Sequence, residues 1–337
     1  MDTSSVKTCV VFRLGRLGDV VLSSGVLARW AEDFNLDFIF VTRKDFAPVL
    51  DGAPFIKDII SLADADLKTA AFFHFCRTLA GSYGSFPLID LHLTPRSHLL
   101  SLFWRAPVRS YAKMSLARRI FLASGGQFFR QSLLAHNVPQ RYYRALNPNP
   151  PPATELAPRI YLSRAELEAA RARLDAVLFP GARPLALHIH AAHALKAIPE
   201  TTVRGLARLL EERRIPLLIL GRGRRIFSDR AWDLTNCTSL REMCALLSLC
   251  RALVSSDSGP LHLAGAVSTA SIALFGPTTR EWGFYPCGPR DIILEKDLAC
   301  RPCSLHGGTG CDKGGNCMAR ITPEEIMRAI EQVDGTG

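Results

Sequence analysis

Residues 252–278 constrain the fold of this chain more than any other stretch of its sequence. Two apolar, β-rich runs, 252–255 and 269–275, flank a short segment of mostly small residues. The runs have the length and composition of buried strands, and residues 260–266 between them predict a helix with its proline in the first turn. We therefore expect a strand, a turn at 257–260, a helix and a second, parallel strand.

The predicted turn has the chemistry of an anion site. Unpaired N–H groups at the start of the helix point to one spot beyond the strand ends, and this spot favours an anion such as a pyrophosphate. Gly259 would let the ligand approach the backbone, while Asp257, Ser258 and His262 supply side chains within reach. The same residues also fit a helix capped by Asp257 or Ser258, with His262 hydrogen-bonded in the packing.

Strand and helix signals alternate along the rest of the chain. Further candidate strands lie at 9–14, 37–42, 56–61, 86–92, 108–111, 184–188 and 216–220. This alternation is typical of doubly wound parallel sheets, and 337 residues are too many for one ordinary core. The proline-rich residues 147–158 indicate a linker. We expect one domain over 1–150, a second domain with a cysteine-rich tail over 151–320, and a C-terminal helix over 321–337.

The loop between the first strand and the first helix, GRLGD at 15–19, is expected to line a ligand site. Ligands of open α/β sheets bind at the carboxyl ends of the strands. The loop lacks the third glycine of a dinucleotide fingerprint, and Asp19 would repel a phosphate. Asp19 is therefore either the N-cap of a helix that starts at Val20 or a carboxylate with a chemical role.

The positive charge of the chain is concentrated in one segment. The net charge is +10, and no acidic residue occurs between Asp90 and Glu155. Nine basic residues lie in this interval: Arg96, Arg105, Arg109, Lys113, Arg118, Arg119, Arg130, Arg141 and Arg144. Such a segment predicts an anionic partner, which could be nucleic acid, an anionic membrane surface or a phosphorylated saccharide. The alternative is a solvated basic face.

The apolar pattern predicts a cytoplasmic protein, and the state of the cysteines follows from that compartment. No run of about 18 apolar residues is present, and the first apolar run, 9–14, is interrupted by Arg13 and too short for a signal-peptide core. We therefore expect a cytoplasmic protein whose ten cysteines are thiols or metal ligands. Four of them have loop spacing that suits a structural zinc or iron ion, with four free thiols as the alternative: Cys300, Cys303, Cys311 and Cys317.

Several motifs together resemble glycosyltransferase family 9, the ADP-heptose:lipopolysaccharide heptosyltransferases. DSGPLHLA at 257–264, followed by LFGPT at 274–278, resembles the nucleotide-sugar signature of that family. RLGRLGDVVL at 13–22 resembles its N-terminal motif, and LHIHAAHALKAIP at 187–199 its motif at the first strand of the nucleotide domain. The resemblance implies the GT-B fold, an α/β fold of two doubly wound Rossmann-like domains that face each other across a cleft.

The resemblance also implies roles for particular residues. Asp19 matches the proposed general base, and Lys196 matches a lysine that contacts the donor phosphate. Donor binding is expected at Gly18, Lys196, Asp257, Ser258, Gly259 and His262, and acceptor binding at Arg105, Arg109, Arg118 and Arg119. The chain departs from the family pattern at 189–190, where Ile-His replaces Pro-Gly, and at 222–225, where arginines stand in place of an acidic residue.

The implied activity is inverting transfer of a heptose-like sugar from a nucleoside-diphosphate donor, with ADP-heptose favoured. The acceptor would be an anionic lipopolysaccharide inner core, reached by peripheral contact with an anionic inner membrane, with no catalytic metal and no nucleic acid. Two other functions remain open. One is a different GT-B nucleotide-sugar enzyme such as an epimerase. The other is a noncatalytic nucleic-acid-binding protein that uses the basic segment and a four-cysteine metal site.

Overall fold

A computed structural model describes residues 7–308, 311 and 316–335, which divide into two compact units. The first unit runs to Lys113 and takes in Val138–Tyr161. The second takes in Met114–Asn137 and the chain from Leu162 onward. These units follow from contacts between residues. The expected division into residues 1–150, 151–320 and 321–337 stays a prediction.

Strands and helices alternate in both units. Within the described residues the strands are β1 (Lys7–Phe12), β2 (Leu36–Arg43), β3 (Ile56–Leu62), β4 (Leu88–Asp90), β5 (Val108–Ser110), β6 (Leu185–His188), β7 (Leu217–Ile219), β8 (Ala252–Ser256), β9 (Ala270–Phe275) and β10 (Ile292–Glu295). The α-helices are α1 (Leu17–Phe34), α2 (Thr69–Tyr83), α3 (Pro95–Phe103), α4 (Ser115–Ala123), α5 (Arg130–Leu134), α6 (Val138–Tyr143), α7 (Arg164–Val177), α8 (Glu200–Glu212), α9 (Leu240–Ser248), α10 (Gly259–Ala266) and α11 (Pro323–Gly335).

The first unit contains a parallel sheet in the order β3-β2-β1-β4-β5. β1 lies at its centre, and Val10, Val11 and Phe12 are fully buried, as expected for a strand covered on both faces. The chain builds outward from β1 to β3 and then returns to place β4 on the other side of β1. The carboxyl ends of β1 and β4 therefore flank the switch point, where open α/β sheets bind ligands.

The second unit repeats this plan with the order β10-β9-β8-β6-β7, again with all strands parallel. Its switch point lies between β6 and β8, because the chain moves outward from β6 to β7 and then returns. β8 and β9 occupy the two apolar runs predicted around the DSGP turn, and every residue of both strands is buried. The strand, turn, helix and strand predicted for residues 252–278 are confirmed.

The proline-rich stretch at 147–158 belongs to the first unit and is not an unpacked connection. It packs against α1, where Leu156 is fully buried. A Cβ placed on Gly25 would lie 2.1 Å from the carbonyl oxygen of Ala157, so only glycine lets the two backbones approach so closely. Composition alone did not indicate this packing, and the role of the stretch as a semi-rigid linker between domains stays a prediction.

The segment Met114–Asn137 belongs to the second unit although it comes from the first half of the sequence. Ala117, Phe121 and Leu133 form a small buried cluster with Trp282. In the part of the chain that the structure describes, no helix is long and apolar enough to cross a membrane.

Candidate active site

Asp19 lies at the switch point of the first sheet and has three hydrogen-bonding partners. The Arg13 guanidinium, just beyond β1, lies 2.5 Å from the Asp19 carboxylate. The Tyr142 hydroxyl, from α6, donates to the other carboxylate oxygen at 2.9 Å. The backbone N–H of Arg16 donates to Asp19 at 3.0 Å. The carboxylate is therefore fixed in position from three sides.

These contacts hold Asp19 in its ionised form. Burial alone would raise the pKa of the carboxyl group, but the Arg13 charge and the hydrogen bonds from Arg16, Arg13 and Tyr142 outweigh burial and lower this pKa. Burial and the negative charge of Asp19 raise the pKa of the Tyr142 hydroxyl, which stays a donor. Asp19 can therefore accept a proton at neutral pH, although its basicity is reduced.

Asp19 is not the N-cap of the first helix. α1 begins at Leu17, its N-cap is Arg16, and Asp19 is the third helical residue. Its carboxylate still satisfies an otherwise orphaned N–H group at the start of the helix. Gly18 lies in the same first turn. The capping alternative was therefore misplaced by one turn, because the apolar pattern that marks the helix starts only at Val20.

His92 lies beside this site and was missed in the sequence. It follows β4, so it stands at the same switch point as Arg13. Burial, and then the charges of Arg13 and Lys113, lower its pKa to about 3, so the ring is neutral. Its Nδ1 atom is buried without a hydrogen-bonding partner in the structure. Its position at the carboxyl end of a central strand was the signal that could have identified it.

Lys196 and Asp257 form a partly buried ion pair at the switch point of the second sheet. Their side chains are each 13% exposed, and the Lys196 Nζ atom lies 2.7 Å from Asp257 Oδ2. The Thr278 hydroxyl donates to the same oxygen at 2.9 Å. The loop after β6, the turn after β8 and the turn after β9 thus meet at one carboxylate. Three of the matched sequence motifs supply these three residues.

Ser258 occupies the N-cap position of the helix that follows this ion pair, without a capping hydrogen bond from its side chain. It is the N-cap residue of α10, and its Oγ lies 3.0 Å from Ser255 Oγ and 3.3 Å from His188 Nδ1. Burial, and then neighbouring His190, lower the pKa of His188 to about 3. A neutral polar network therefore holds the cap in place, and the N-terminus of α10 carries the positive end of the helix dipole.

Gly259 and His262 lie in α10 in different surroundings. Gly259 is the first helical residue, so its backbone forms the start of the helix. His262 is buried, and its ring centre lies 6.5 Å from that of Phe284. This places His262 in the packing under the helix, as the alternative from the sequence had it. Donor contacts by Gly18, Gly259 and His262 stay predictions.

Arg301, within the cysteine-rich segment, anchors that segment to the site. It donates to the carbonyl oxygens of Gly276 at 2.6 Å and Thr278 at 3.1 Å, and it pairs with Glu295 at 3.0 Å. A Cβ on Gly307 would lie 2.8 Å from Cδ of Lys196. Residues 300–308 therefore pack against both the turn after β9 and the lysine, which no local pattern in the sequence indicated.

The predicted four-cysteine metal site is not formed in the described residues. Among residues 7–308, 311 and 316–335, no three His, Cys, Asp or Glu side chains are gathered so as to hold a metal ion. Cys303 Sγ instead lies 3.9 Å from the carbonyl oxygen of Pro277, and its backbone N–H also donates there. Cys300, Cys311 and Cys317 do not complete a thiolate set around it. A structural metal ion at these four cysteines stays a prediction, and the proposed mechanism uses no metal.

The four arginines predicted to bind the acceptor are divided between the two units. Arg105 and Arg109 are exposed and lie in the first unit, whereas Arg118 and Arg119 lie in the second. Arg118 donates to the carbonyl oxygen of Trp282 at 2.9 Å and stacks over the Phe284 ring at 5.6 Å. Arg118 is thus engaged in packing, while Arg119 is exposed. Their role in acceptor binding stays a prediction.

The chain is similar to heptosyltransferases in both sequence and fold. Residues 151–307 match the family described as glycosyltransferase family 9 (heptosyltransferase). Lipooligosaccharide heptosyltransferase 2 of Campylobacter jejuni is 29% identical over 105 residues, which is 30% of this chain and 31% of that protein. The matched part therefore spans about a third of the length of that curated relative.

Solved structures show the same fold over nearly the whole chain. A glycosyltransferase family 9 protein from Veillonella parvula gives a TM-score of 0.79 at 16% identity, covering 99% of this chain and 98% of that chain. The E. coli ADP-heptose lps heptosyltransferase II gives a TM-score of 0.69 at 17% identity, covering 97% of this chain and 98% of that chain. Residues 151–307 therefore resemble glycosyltransferase family 9, and the chain has the GT-B fold predicted from its sequence.

Proposed function

We propose that the chain is an inverting glycosyltransferase that moves a heptose-like sugar from a nucleoside-diphosphate donor to a hydroxyl group of an anionic lipopolysaccharide inner core. The observation that carries this proposal is the ionised carboxylate of Asp19, fixed by Arg13 and Tyr142 at the switch point of the first sheet. A buried carboxylate kept charged at a ligand-binding edge is suited to accept a proton.

In the proposed reaction, Asp19 takes the proton of the acceptor hydroxyl. The acceptor oxygen forms its new bond to the anomeric carbon of the donor sugar as the bond from that carbon to the diphosphate oxygen breaks. The configuration at the anomeric carbon inverts, because attack and departure occur on opposite faces. The electron pair of the broken bond leaves with the nucleoside diphosphate, and the proton stays on Asp19 until solvent removes it.

The N-terminus of α10 and Lys196 are proposed to hold the leaving diphosphate. Helix N–H groups stabilise the charge that develops on the phosphate oxygens, and the lysine supplies a positive charge beside them. Asp257 already pairs with Lys196 at 2.7 Å, so it fixes the ammonium group and offsets part of its charge. Release of the product diphosphate should be easier for this reason than from an unpaired lysine.

Support for the donor and the acceptor comes from the relatives. ADP-heptose is favoured because the printed name of the E. coli neighbour includes it, and a lipopolysaccharide acceptor is favoured because the curated relative is named a lipooligosaccharide heptosyltransferase. The acid-free segment between Asp90 and Glu155 suits an anionic acceptor. We propose that the reaction takes place at the cytoplasmic face of the inner membrane.

A transfer assay with a panel of donors tests the proposal. The protein is incubated with inner-core acceptor and ADP-heptose, or with GDP- and UDP-sugars, and the product is identified by mass and by the configuration of the new bond. We expect transfer from ADP-heptose with inversion. No transfer from any donor, or epimerised donor without transfer, would reject the proposal, and salt-sensitive retention on nucleic acid would favour the noncatalytic alternative.

A further inference from the structure

The segment Met114–Asn137 carries large apolar side chains on its surface. Leu116 is 72% exposed, Phe128 is 60% exposed, Phe129 is 47% exposed and Leu134 is 37% exposed. Each of these side chains forgoes the free energy that burial of an apolar group supplies. Such a concentration of exposed apolar groups within a short stretch indicates an interaction surface.

One side of this segment packs against the rest of the second unit, so the other side is held facing outward. In α4, Ala117 and Phe121 are buried, and the ring of Phe121 meets that of Trp282 edge-on at 5.7 Å. Leu116 and Arg119 lie on the opposite, exposed side of the helix. The apolar residues in the packed base and those on the surface are thus separate sets, as in an amphipathic element with a second apolar face.

Beyond this segment, Arg130 pairs with Glu281 at 3.0 Å, which ties the start of α5 to the second unit. Phe128 and Phe129 immediately precede that anchor and stay exposed. The backbone N–H of Phe128 also donates to Ser124 Oγ at 3.2 Å, so the aromatic pair is presented by a turn that is anchored on both sides.

The charge of the segment identifies its partner. No acidic residue occurs between Asp90 and Glu155, so every charged side chain in the segment is an arginine. Arg118 is engaged in packing, so the cations open to a partner are Arg119, which is exposed, and Arg130, whose side chain is 65% exposed although it pairs with Glu281. Exposed leucine and phenylalanine side chains interspersed with arginines match the boundary of an anionic bilayer, where apolar groups enter the acyl region and cations meet the headgroups. A protein partner would need acidic groups placed opposite these arginines, whereas an anionic bilayer presents negative headgroups over its whole surface.

We propose that Met114–Asn137 is the surface by which this protein docks on an anionic membrane, with Leu116, Phe128, Phe129 and Leu134 entering the interface. The proposal rests on the proposed function, because the acceptor proposed there is a membrane glycolipid. It goes further by assigning membrane contact to a particular element of the second unit.

Vesicle sedimentation tests the docking surface. The full chain is mixed with vesicles of phosphatidylcholine alone or of equal parts phosphatidylcholine and phosphatidylglycerol, without donor or acceptor. We expect binding to the mixed vesicles, weakened by salt, and much weaker binding to the neutral ones. The double variant Phe128→Ser with Phe129→Ser should weaken binding to the mixed vesicles by about tenfold or more.

Phe179→Ser is the matched control, because Phe179 is 55% exposed but lies outside the segment, and this variant should bind like the wild type. Equal weakening by Phe179→Ser, or no weakening by the double variant, would overturn the proposal. The proposal would also be overturned if the wild type self-associated without binding to vesicles and the double variant abolished that self-association. Transfer to an acceptor sugar that lacks its lipid distinguishes the docking surface from the proposed function. The double variant should transfer sugar to this acceptor at the wild-type rate. If the proposed function is wrong, neither the wild type nor any variant transfers sugar.

Discussion

At the scale of the residue, Asp19 as the proposed general base must meet two opposed requirements. A general base must be ionised at the working pH, yet it must also bind a proton strongly enough to take one from an acceptor. The Arg13 guanidinium at 2.5 Å lowers the pKa of Asp19. The carboxylate is therefore ionised at the working pH, but it binds a proton less strongly. The Tyr142 hydrogen bond acts in the same direction. The site therefore keeps the proposed base deprotonated at the expense of its affinity for a proton.

Tyr142→Phe tests whether this tuning operates. The variant removes a hydrogen bond to the charged form of Asp19 and keeps the Arg13 pair, so the pKa of Asp19 should rise. Because Asp19 acts deprotonated, the acidic limb of the kcat profile should move to higher pH. Tyr143→Phe is the matched control, since Tyr143 is the next residue of α6 and donates to Asp33. Identical acidic limbs in Tyr142→Phe and the wild type would show that Asp19 does not set this limb.

His188 predicts a pH dependence of stability. Its pKa is about 3 in the folded protein, against about 6.5 for an unperturbed histidine. Between these values the unfolded chain binds a proton that the folded chain does not, so this contribution to stability is complete above about pH 6.5 and is lost as the pH falls towards 3. His188→Asn keeps a polar group near Ser255 and Ser258 and removes this titration.

Urea unfolding at several pH values measures the effect. Replacing His188 should reduce the slope of the free energy of unfolding between pH 6 and 4.5 by about 1.4 kcal/mol per pH unit, the linkage of a single proton. An unchanged slope in His188→Asn would mean that His188 is protonated in the folded protein.

At the scale of the element, the second sheet places three turns around one ion pair. The turn after β8 contributes Asp257, the loop after β6 contributes Lys196, and the turn after β9 contributes Thr278. α10 starts immediately after this carboxylate, so its positive end is beside the ion pair. A diphosphate bound here would interact with the helix end and the ammonium group together.

Lys196→Met tests this arrangement. The variant removes a charged donor and leaves Asp257 unpaired, so both changes should weaken binding of ADP, by about 10- to 100-fold for a charged hydrogen bond. Adenosine, which has no phosphate, should bind equally to both proteins. Lys44→Met, at an exposed lysine of the first unit, is the control variant. Calorimetry that finds equal ADP affinity in Lys196→Met and the wild type would exclude Lys196 from the donor site.

The elements that could be predicted are those whose signal is local. β8 and β9 followed from apolar runs, because strands buried on both faces need no alternation. The positions of Asp19 and Lys196 at the carboxyl ends of strands followed from the order of strands and helices. The start of α1 was placed three residues late, because its first turn, Leu17–Asp19, lacks the apolar pattern of the rest of the helix.

Contacts between residues far apart in the chain could not be predicted. The packing of Met114–Asn137 on Trp282 and the hydrogen bonds of Arg301 to Gly276 and Thr278 depend on three-dimensional proximity that has no periodicity in the sequence. His92 was overlooked because its surroundings, Arg13 and Lys113, come from different loops. The cysteine spacing suggested a metal site, but spacing does not fix where each sulfur atom lies, and three possible ligands are not gathered within the described residues.

At the scale of the whole molecule, the uneven charge predicts how the acceptor arrives. Arg105 and Arg109 are exposed and belong to the acid-free segment. Reversing both charges with Arg105→Glu and Arg109→Glu should raise the KM for the anionic acceptor and reduce its dependence on salt, with ADP affinity unchanged. Arg208→Glu, at an exposed arginine in α8, controls for the change in net charge. An equal rise in KM for Arg208→Glu would mean that net charge, and not this segment, attracts the acceptor.

The central claim is that Asp19 accepts the proton during sugar transfer. Its most direct test is the single-turnover rate of transfer in Asp19→Asn, measured together with ADP affinity and thermal unfolding. Asparagine keeps the size of the side chain but leaves the buried Arg13 charge unpaired. We therefore expect the free energy of unfolding to fall by about 3–5 kcal/mol. The transfer rate must be measured at a temperature where thermal unfolding shows that the variant is folded. Under those conditions the transfer rate should fall by about 10²–10⁴-fold with ADP affinity unchanged. A folded Asp19→Asn variant that transfers sugar at nearly the wild-type rate would contradict the account.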